Sequence, residues 1–165
     1  KGHSMQIKFF YILSILIIAG DLITKHFLEG VVAPFIPNFV SIYSVHNYGA
    51  SWSMLSGATW VFIVIACVFV VGMLAFDIFY KKNFRANGWY KVGFALLLGG
   101  IFGNLIDRIA FGYVRDFIKL EFMSFPIFNI ADIALTVGCI CLVIWLLFFG
   151  MRGEKEKEMI KVQEK

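Results

Sequence analysis

Four long apolar runs dominate this chain and restrict what it can fold into. They extend from about Ile7 to Ile23, Thr59 to Tyr80, Tyr90 to Ile106 and Ile127 to Phe149. Each is close to the ~17–25 residues that carry a helix across the hydrocarbon core of a bilayer. Hydrophobic residues make up 60% of the 165 positions and charged ones only 16%, against roughly 45–50% and about 25% in soluble domains. So short a chain has no interior large enough to hide that excess. Backbone amides in hydrocarbon must be paired within the protein, so the runs are expected to be helices. The expected fold class is therefore an all-α membrane protein of four transmembrane helices.

The charged residues lie at the ends of these runs. Basic side chains gather near the start (Lys1, Lys8), between the second and third runs (Lys81, Lys82, Arg85, Lys91) and in the tail (Arg152, Lys155, Lys157, Lys161, Lys165). With four spans these three segments share one side, which the positive-inside rule assigns to the cytoplasm, so both termini are expected there. Lys25–Ala58 and Arg108–Pro126 then face outward, with Trp52, Trp60 and Tyr113 near the outer interface. A net charge of +4 distributed in this way flanks a membrane and forms no stripe for nucleic acid. Cys67, Cys139 and Cys141 all lie in apolar runs. They read as packing residues, not as a disulfide framework or a metal pair.

Residues 1–4 read as a cloning remnant, residues 5–150 as a single four-helix membrane domain and residues 151–165 as a charged cytoplasmic tail. The first run is followed by Asp21-Leu-Ile-Thr-Lys25, with no small-residue cleavage site, and is expected to be a retained span. Between the first two runs, Phe39-Val-Ser-Ile-Tyr-Ser-Val45 alternates in the manner of a strand, amid Pro34, Pro37 and Asn47. It predicts a small extracytoplasmic β-like element after the first helix, lying at the membrane surface.

Ionisable residues in or beside spans are costly and mark functional candidates. Asp77 has Lys81 four residues on and reads as an interfacial pair. Asp21 and Lys25 have the same spacing and read as an ion pair anchoring a helix end or as a contribution to a site. The third run ends in Gly99-Gly-Ile-Phe-Gly103-Asn104-Leu-Ile-Asp107-Arg108. Its glycines permit close helix approach. Asn104, Asp107 and Arg108 share a face, so that Asp107 is expected to orient Arg108 and Arg108 to hold a peptide carbonyl. Val114-Arg115-Asp116-Phe117 is expected on the turn leaving this span. Asn129 reads as the N-cap of the fourth helix, which puts Asp132 in its first turn.

Asp116 and Asp132 thus come from the exit of one span and the start of the next. Two carboxylates meeting in a half-dry site tend to share a proton. One then activates water while the protonated other polarises a carbonyl, the chemistry of aspartic proteolysis. Spacing leaves other readings open: a proton-relay pair in a small transporter, or two unrelated polar anchors in a scaffold. No repeat relates the two halves. The chain contains no HExxH motif, Cys/His cluster or serine-nucleophile motif.

Five blocks, in order, resemble one family. They are Asp21-x-x-Thr24-Lys25, Asn47-Tyr-Gly49-Ala50-Ser-Trp52, Gly99-Gly100-x-x-Gly103-Asn104-x-x-Asp107-Arg108, Val114-x-Asp116-Phe117 and Phe128-Asn129-x-Ala131-Asp132. Together they are similar to bacterial lipoprotein signal peptidase (signal peptidase II), with Trp52 replacing the commoner Phe. The resemblance implies an aspartic endopeptidase that cuts diacylglyceryl-modified prolipoproteins on the N-terminal side of the lipidated cysteine, near the outer face of the cell membrane. It implies Asp116 and Asp132 as the catalytic pair, with Asn47, Gly49, Asn104, Asp107, Arg108, Asn129, Ala131, Asp21 and Lys25 binding substrate or supporting the site. The expected partners are a lipid-modified prolipoprotein and membrane lipid, with the chain acting as a monomer and requiring no metal or organic cofactor.

Overall fold

The computed structural model describes residues 2–49, 57–79 and 87–150. The readings of Ala50, Trp52, Lys81, Lys82, Arg85 and the tail from Arg152 fall outside these residues. The element order is α1 (Gly2–Leu28), β1 (Val32–Ile36), β2 (Val40–Asn47), α2 (Thr59–Phe79), α3 (Gly88–Phe111), β3 (Val114–Leu120) and α4 (Ile130–Trp145), the last followed by a π-helical turn, Leu146–Gly150. Among the described residues, four helices are long and apolar enough to cross a membrane: Phe10–Leu28, Thr59–Phe79, Gly88–Phe111 and Ile130–Phe149. The second and fourth match the apolar runs closely. The first and third extend about one turn beyond them, because Lys25, Asp107 and Arg108 remain helical and turn their polar groups inward.

The bundle buries many polar and charged side chains and leaves many large apolar ones exposed. Asp21, Lys25, Asp77, Asn104, Asp107, Asp116 and Asn129 are buried, whereas Ile15, Leu16, Val64, Val68, Val71 and Ile140 are exposed. In water this would reverse the usual distribution. In lipid it is the stable one, since the apolar side chains meet acyl chains and the charges meet each other. At the end of the bundle away from the sheet the interior is apolar. There Phe10, Tyr90, Phe94, Ala95, Leu98 and Trp145 form a buried cluster. Asp77 accepts a hydrogen bond from the Tyr90 hydroxyl at 3.5 Å.

Helix α3 is the central element and packs against the other three helices. Asn87 caps its start by accepting from the Trp89 and Tyr90 amides, and Gly112, at φ 79°, ends it in the left-handed conformation. Glycines bring its neighbours close. A Cβ at Gly99 would lie 2.8 Å from Ile17 of α1, and one at Gly100 would lie 2.6 Å from the Ala131 carbonyl of α4. Elsewhere on the α3–α4 seam Gly93 and Gly138 face each other, and a Cβ on either would lie 2.9 Å from the other's carbonyl oxygen.

Strands β1, β2 and β3 form an antiparallel sheet in that order. Pro34 lies in β1, an edge strand, where its missing N–H costs little. The β-like element expected after the first helix is present. Val114–Phe117, however, was expected in a turn and instead begins the third strand of the sheet. Gly112 reverses the chain within three residues, and Val114-Arg-Asp-Phe-Ile-Lys-Leu120 then pairs with β2. The register carries a bulge: Ile42 pairs with Ile118, but Val45 pairs with Asp116. One extra residue on β2 flips the face of everything after it. Without it, His46 would share the face of Asp116; with it, Asn47 does.

The α3–α4 seam makes a stability prediction. Gly100→Ala forces a methyl against the Ala131 backbone and should destabilise the fold by about 1–3 kcal/mol. Gly72→Ala on α2, where a Cβ meets nothing within 4 Å, should leave the unfolding temperature unchanged or slightly raised. Thermal unfolding of the two variants in detergent micelles checks the contrast.

Candidate active site

At the sheet end of the bundle, the buried polar residues form two connected clusters. The first joins α1 to α3, α4 and β3. Lys25 Nζ lies 2.7 Å from Asp21 Oδ2 and 3.3 Å from Asp107 Oδ2. Asp107 also accepts from Arg115 at three points: the backbone N–H at 3.0 Å, Nε at 3.3 Å and Nη2 at 2.7 Å. Asp21 Oδ1 accepts the Ala131 N–H at 2.9 Å, in the first turn of α4. Gly103 makes this possible, because a Cβ there would sit 2.7 Å from Asp21 Oδ2. The pairing of Asp21 with Lys25 was legible from their spacing. Their place is deeper than a helix-end anchor: the two side chains are 0% and 1% exposed.

Asp107 was expected to orient Arg108 and does not. Successive helical residues diverge by about 100° around the axis, so Asp107 turns toward α1 and β3 while Arg108 turns toward α2. The turn at Gly112 folds β3 back and delivers Arg115 to Asp107 instead. Arg108 Nη2 donates to the Gly49 carbonyl at 3.4 Å, and its guanidinium lies 4.9 Å from the centre of the Phe62 ring. It does hold a peptide carbonyl, one from its own chain.

The second cluster brings Asp116 and Asp132 onto a single asparagine. Asn129 caps α4: its Oδ1 accepts the Asp132 N–H at 2.9 Å, and Asp132 Oδ2 accepts the Asn129 N–H at 3.1 Å. The Asn129 Nδ2 donates to Asp116 Oδ1 at 2.6 Å. The remaining oxygens also have donors, Asn47 Nδ2 to Asp116 Oδ2 at 2.9 Å and Asn104 Nδ2 to Asp132 Oδ1 at 2.8 Å. Asn129 reaches this position because Phe128 pairs with Ile118 of β3. Burial, and after it the Asp132 charge, push the Asp116 carboxyl up from the ordinary carboxylate range to about 7.

Both aspartates line a cavity of about 760 Å³ together with Asn47, Gly49, Asn104 and Arg108. Its other walls are apolar, from Phe62, Ile65, Phe69, Ile101, Leu135 and the 125–128 loop. One end is thus fit to bind and polarise a peptide group, and the rest is fit to bind a greasy segment.

Two participants carried no role in the sequence reading. Arg115 is the main partner of Asp107, and Glu29, at the end of α1, lies 3.5 Å from Arg115 Nη1 and 3.5 Å from His46 Nε2. Strand geometry puts Arg115 on the opposite face from Asp116, but that signal needs the strand to be recognised first. Glu29 had none.

Residues 13–148 match the family model Peptidase A8, described as signal peptidase (SPase) II. A lipoprotein signal peptidase of Latilactobacillus sakei is 41% identical over 143 residues, covering 84% of this chain and 93% of the relative. One from Enterococcus faecalis is 38% identical, with coverages of 84% and 87%. Two solved structures described as bacterial membrane enzymes are each 35% identical, with TM-scores of 0.78 and 0.77. They cover 86% and 87% of this chain, and 88% and 95% of their own length is matched. A match of this extent, on a four-span bundle with this polar cluster, shows that the chain is a multi-pass membrane enzyme belonging to the signal peptidase II family of peptidases.

Proposed function

We propose that this chain cleaves lipid-modified prolipoproteins within the membrane, on the N-terminal side of the lipidated cysteine, with Asp116 and Asp132 activating water. The observation that carries the reading is the bonding of both carboxyl groups to Asn129. A residue that binds one carboxyl through its side chain and the other through its backbone holds them side by side. The family's prolipoprotein substrates supply the reaction class.

In this mechanism the pair holds one proton. The ionised carboxylate removes a proton from a water placed between the two, and the hydroxide attacks the scissile carbonyl carbon. The protonated carboxyl gives its proton to the carbonyl oxygen, forming a neutral gem-diol. On collapse the carboxyl now holding the water proton gives it to the departing nitrogen as the C–N bond breaks, and the other carboxylate takes a proton from a gem-diol hydroxyl, leaving the pair with one proton again. Asn47, Asn104 and Asn129 keep the carboxyls aimed. Arg108 and Gly49 line the polar end of the cavity and position the peptide there, while the apolar walls take the signal segment and bilayer lipid. Asp21, Lys25, Asp107 and Ala131 support the arrangement from behind. The basic flanks favour cytoplasmic termini, which puts the sheet and the site at the outer face. One copy supplies every residue the reaction needs, which favours a monomer.

Asp116→Asn and Asp132→Asn should each lower cleavage of a synthetic diacylglyceryl-modified precursor by at least about a hundredfold while the unfolding temperature stays near the parent's. Normal turnover by either variant defeats the proposal.

The pH dependence has a definite sign. With Asp116 at about 7, the shared proton is kept through neutrality and lost above it, so kcat should fall as pH rises past about 7. The folded chain also keeps a proton that the unfolded chain has released. Stability should therefore decline as pH rises from the ordinary carboxylate range toward about 7, and level off above it. Cleavage rates and unfolding temperatures followed from about the ordinary carboxylate pKa to roughly two units above neutrality test both statements.

A further inference from the structure

Between the two clusters lies one side chain, Asn104. Its Oδ1 receives Lys25 Nζ at 3.0 Å and Asn129 Nδ2 at 3.0 Å, and its Nδ2 donates to Asp132 Oδ1 at 2.8 Å. A lysine ammonium has donors and no acceptor. The amide atom facing it must be the oxygen, so the NH₂ group must face Asp132. The same orientation requires Asn129 to present its own NH₂ to Asn104 and Asp116, which agrees with Asn129 Oδ1 capping the Asp132 amide.

We infer that Lys25 is a positioning residue for the proposed reaction, acting through Asn104 to hold an N–H donor on Asp132 and so to set the proton state of the carboxyl pair. The inference rests on the dyad reading given above. Lys25 does not touch the reacting atoms. Its ammonium is held by Asp21 from its own helix and Asp107 from α3, with Arg115 of β3 on the far side of Asp107 and Glu29 beyond it. Around the carboxyl pair the remaining formal charge among the cavity-lining residues is Arg108. The positive charge of Lys25 also favours the ionised form of Asp116.

Removing Lys25 alone would leave the buried Asp21 carboxylate without its cation. The test therefore uses the neutral exchange Lys25→Met with Asp21→Asn, in which an asparagine keeps an acceptor for the Ala131 amide and Asp107 keeps Arg115. Cleavage of the lipidated precursor is followed across pH. The expected result is a kcat lowered on the order of tenfold at similar KM, with the alkaline limb of the profile displaced upward by about half a unit. A profile that stays in place or moves down overturns the proposal, whether or not the rate falls, since a purely structural role predicts no upward displacement. Asn104→Leu removes the relay but leaves Lys25 its carboxylates, and covers the case in which the exchange does not fold; an unshifted profile there also overturns it. Asp132→Asn is the control. If it is inactive and the profiles are unshifted, only the positioning role fails. If it is fully active, the dyad reading and the inference fail together.

Discussion

The buried charges of Asp21, Lys25, Asp107 and Arg115 impose the condition around which the sheet end of the bundle is arranged. An unpaired charge is not tolerated in a low-dielectric interior, and removal of one member of a buried pair typically costs about 3–5 kcal/mol. Here two acids and two bases from α1, α3 and β3 sum to zero charge, and every acid touches a base. Meeting that condition fixes more than the charges themselves. Asp21 must come within reach of α4, so α3 has no side chain at Gly103. Arg115 must return to Asp107, so the chain reverses at Gly112. Asp21 then accepts from Ala131, the residue before Asp132. The position of a candidate catalytic carboxylate is thus linked, through one backbone amide, to an ion pair on another helix.

The four spans were legible because hydropathy is summed over many residues and survives local exceptions. The ends of α1 and α3 were not, because hydropathy counts a charge without knowing which way it points. Lys25 and Asp107 look like the limits of spans until neighbouring helices are present to receive them. Strand β2 announced itself by alternation, whereas in β3 the pattern is broken at Asp116 and Phe117. Its pairing partner lies about seventy residues upstream and is matched only after a bulge, so no local reading could fix which face Asp116 shares. The nearness of Asp116 and Asp132 was left open by their spacing and expected from the family resemblance. In the structure it is realised through Asn129, whose capping role was legible and whose second role as a bridge was not.

The candidate site obeys the same electrostatic rule as the cluster behind it. Asp116, Asp132 and Arg108 share a cavity whose other walls are mostly apolar. Two ionised carboxylates beside one guanidinium would leave a surplus negative charge in a medium that solvates it poorly. A single proton on the pair removes the surplus. The one-proton state that the proposed mechanism requires is therefore also the electroneutral state of the cavity.

Two neutral clusters lying side by side need a connection that carries orientation without carrying charge, and side-chain amides provide it. Asn104 and Asn129 each offer a donor and an acceptor in fixed opposition, so the direction set at one end is kept at the other. A carboxylate in either place would add a charge to a balanced interior. A hydroxyl could rotate and lose the direction. An aliphatic residue would leave one oxygen of Asp132 or of Asp116 without its donor. The chemistry that places asparagine at both positions is thus dictated from both sides: by a lysine that can only donate, and by two carboxylates that, when ionised, can only accept.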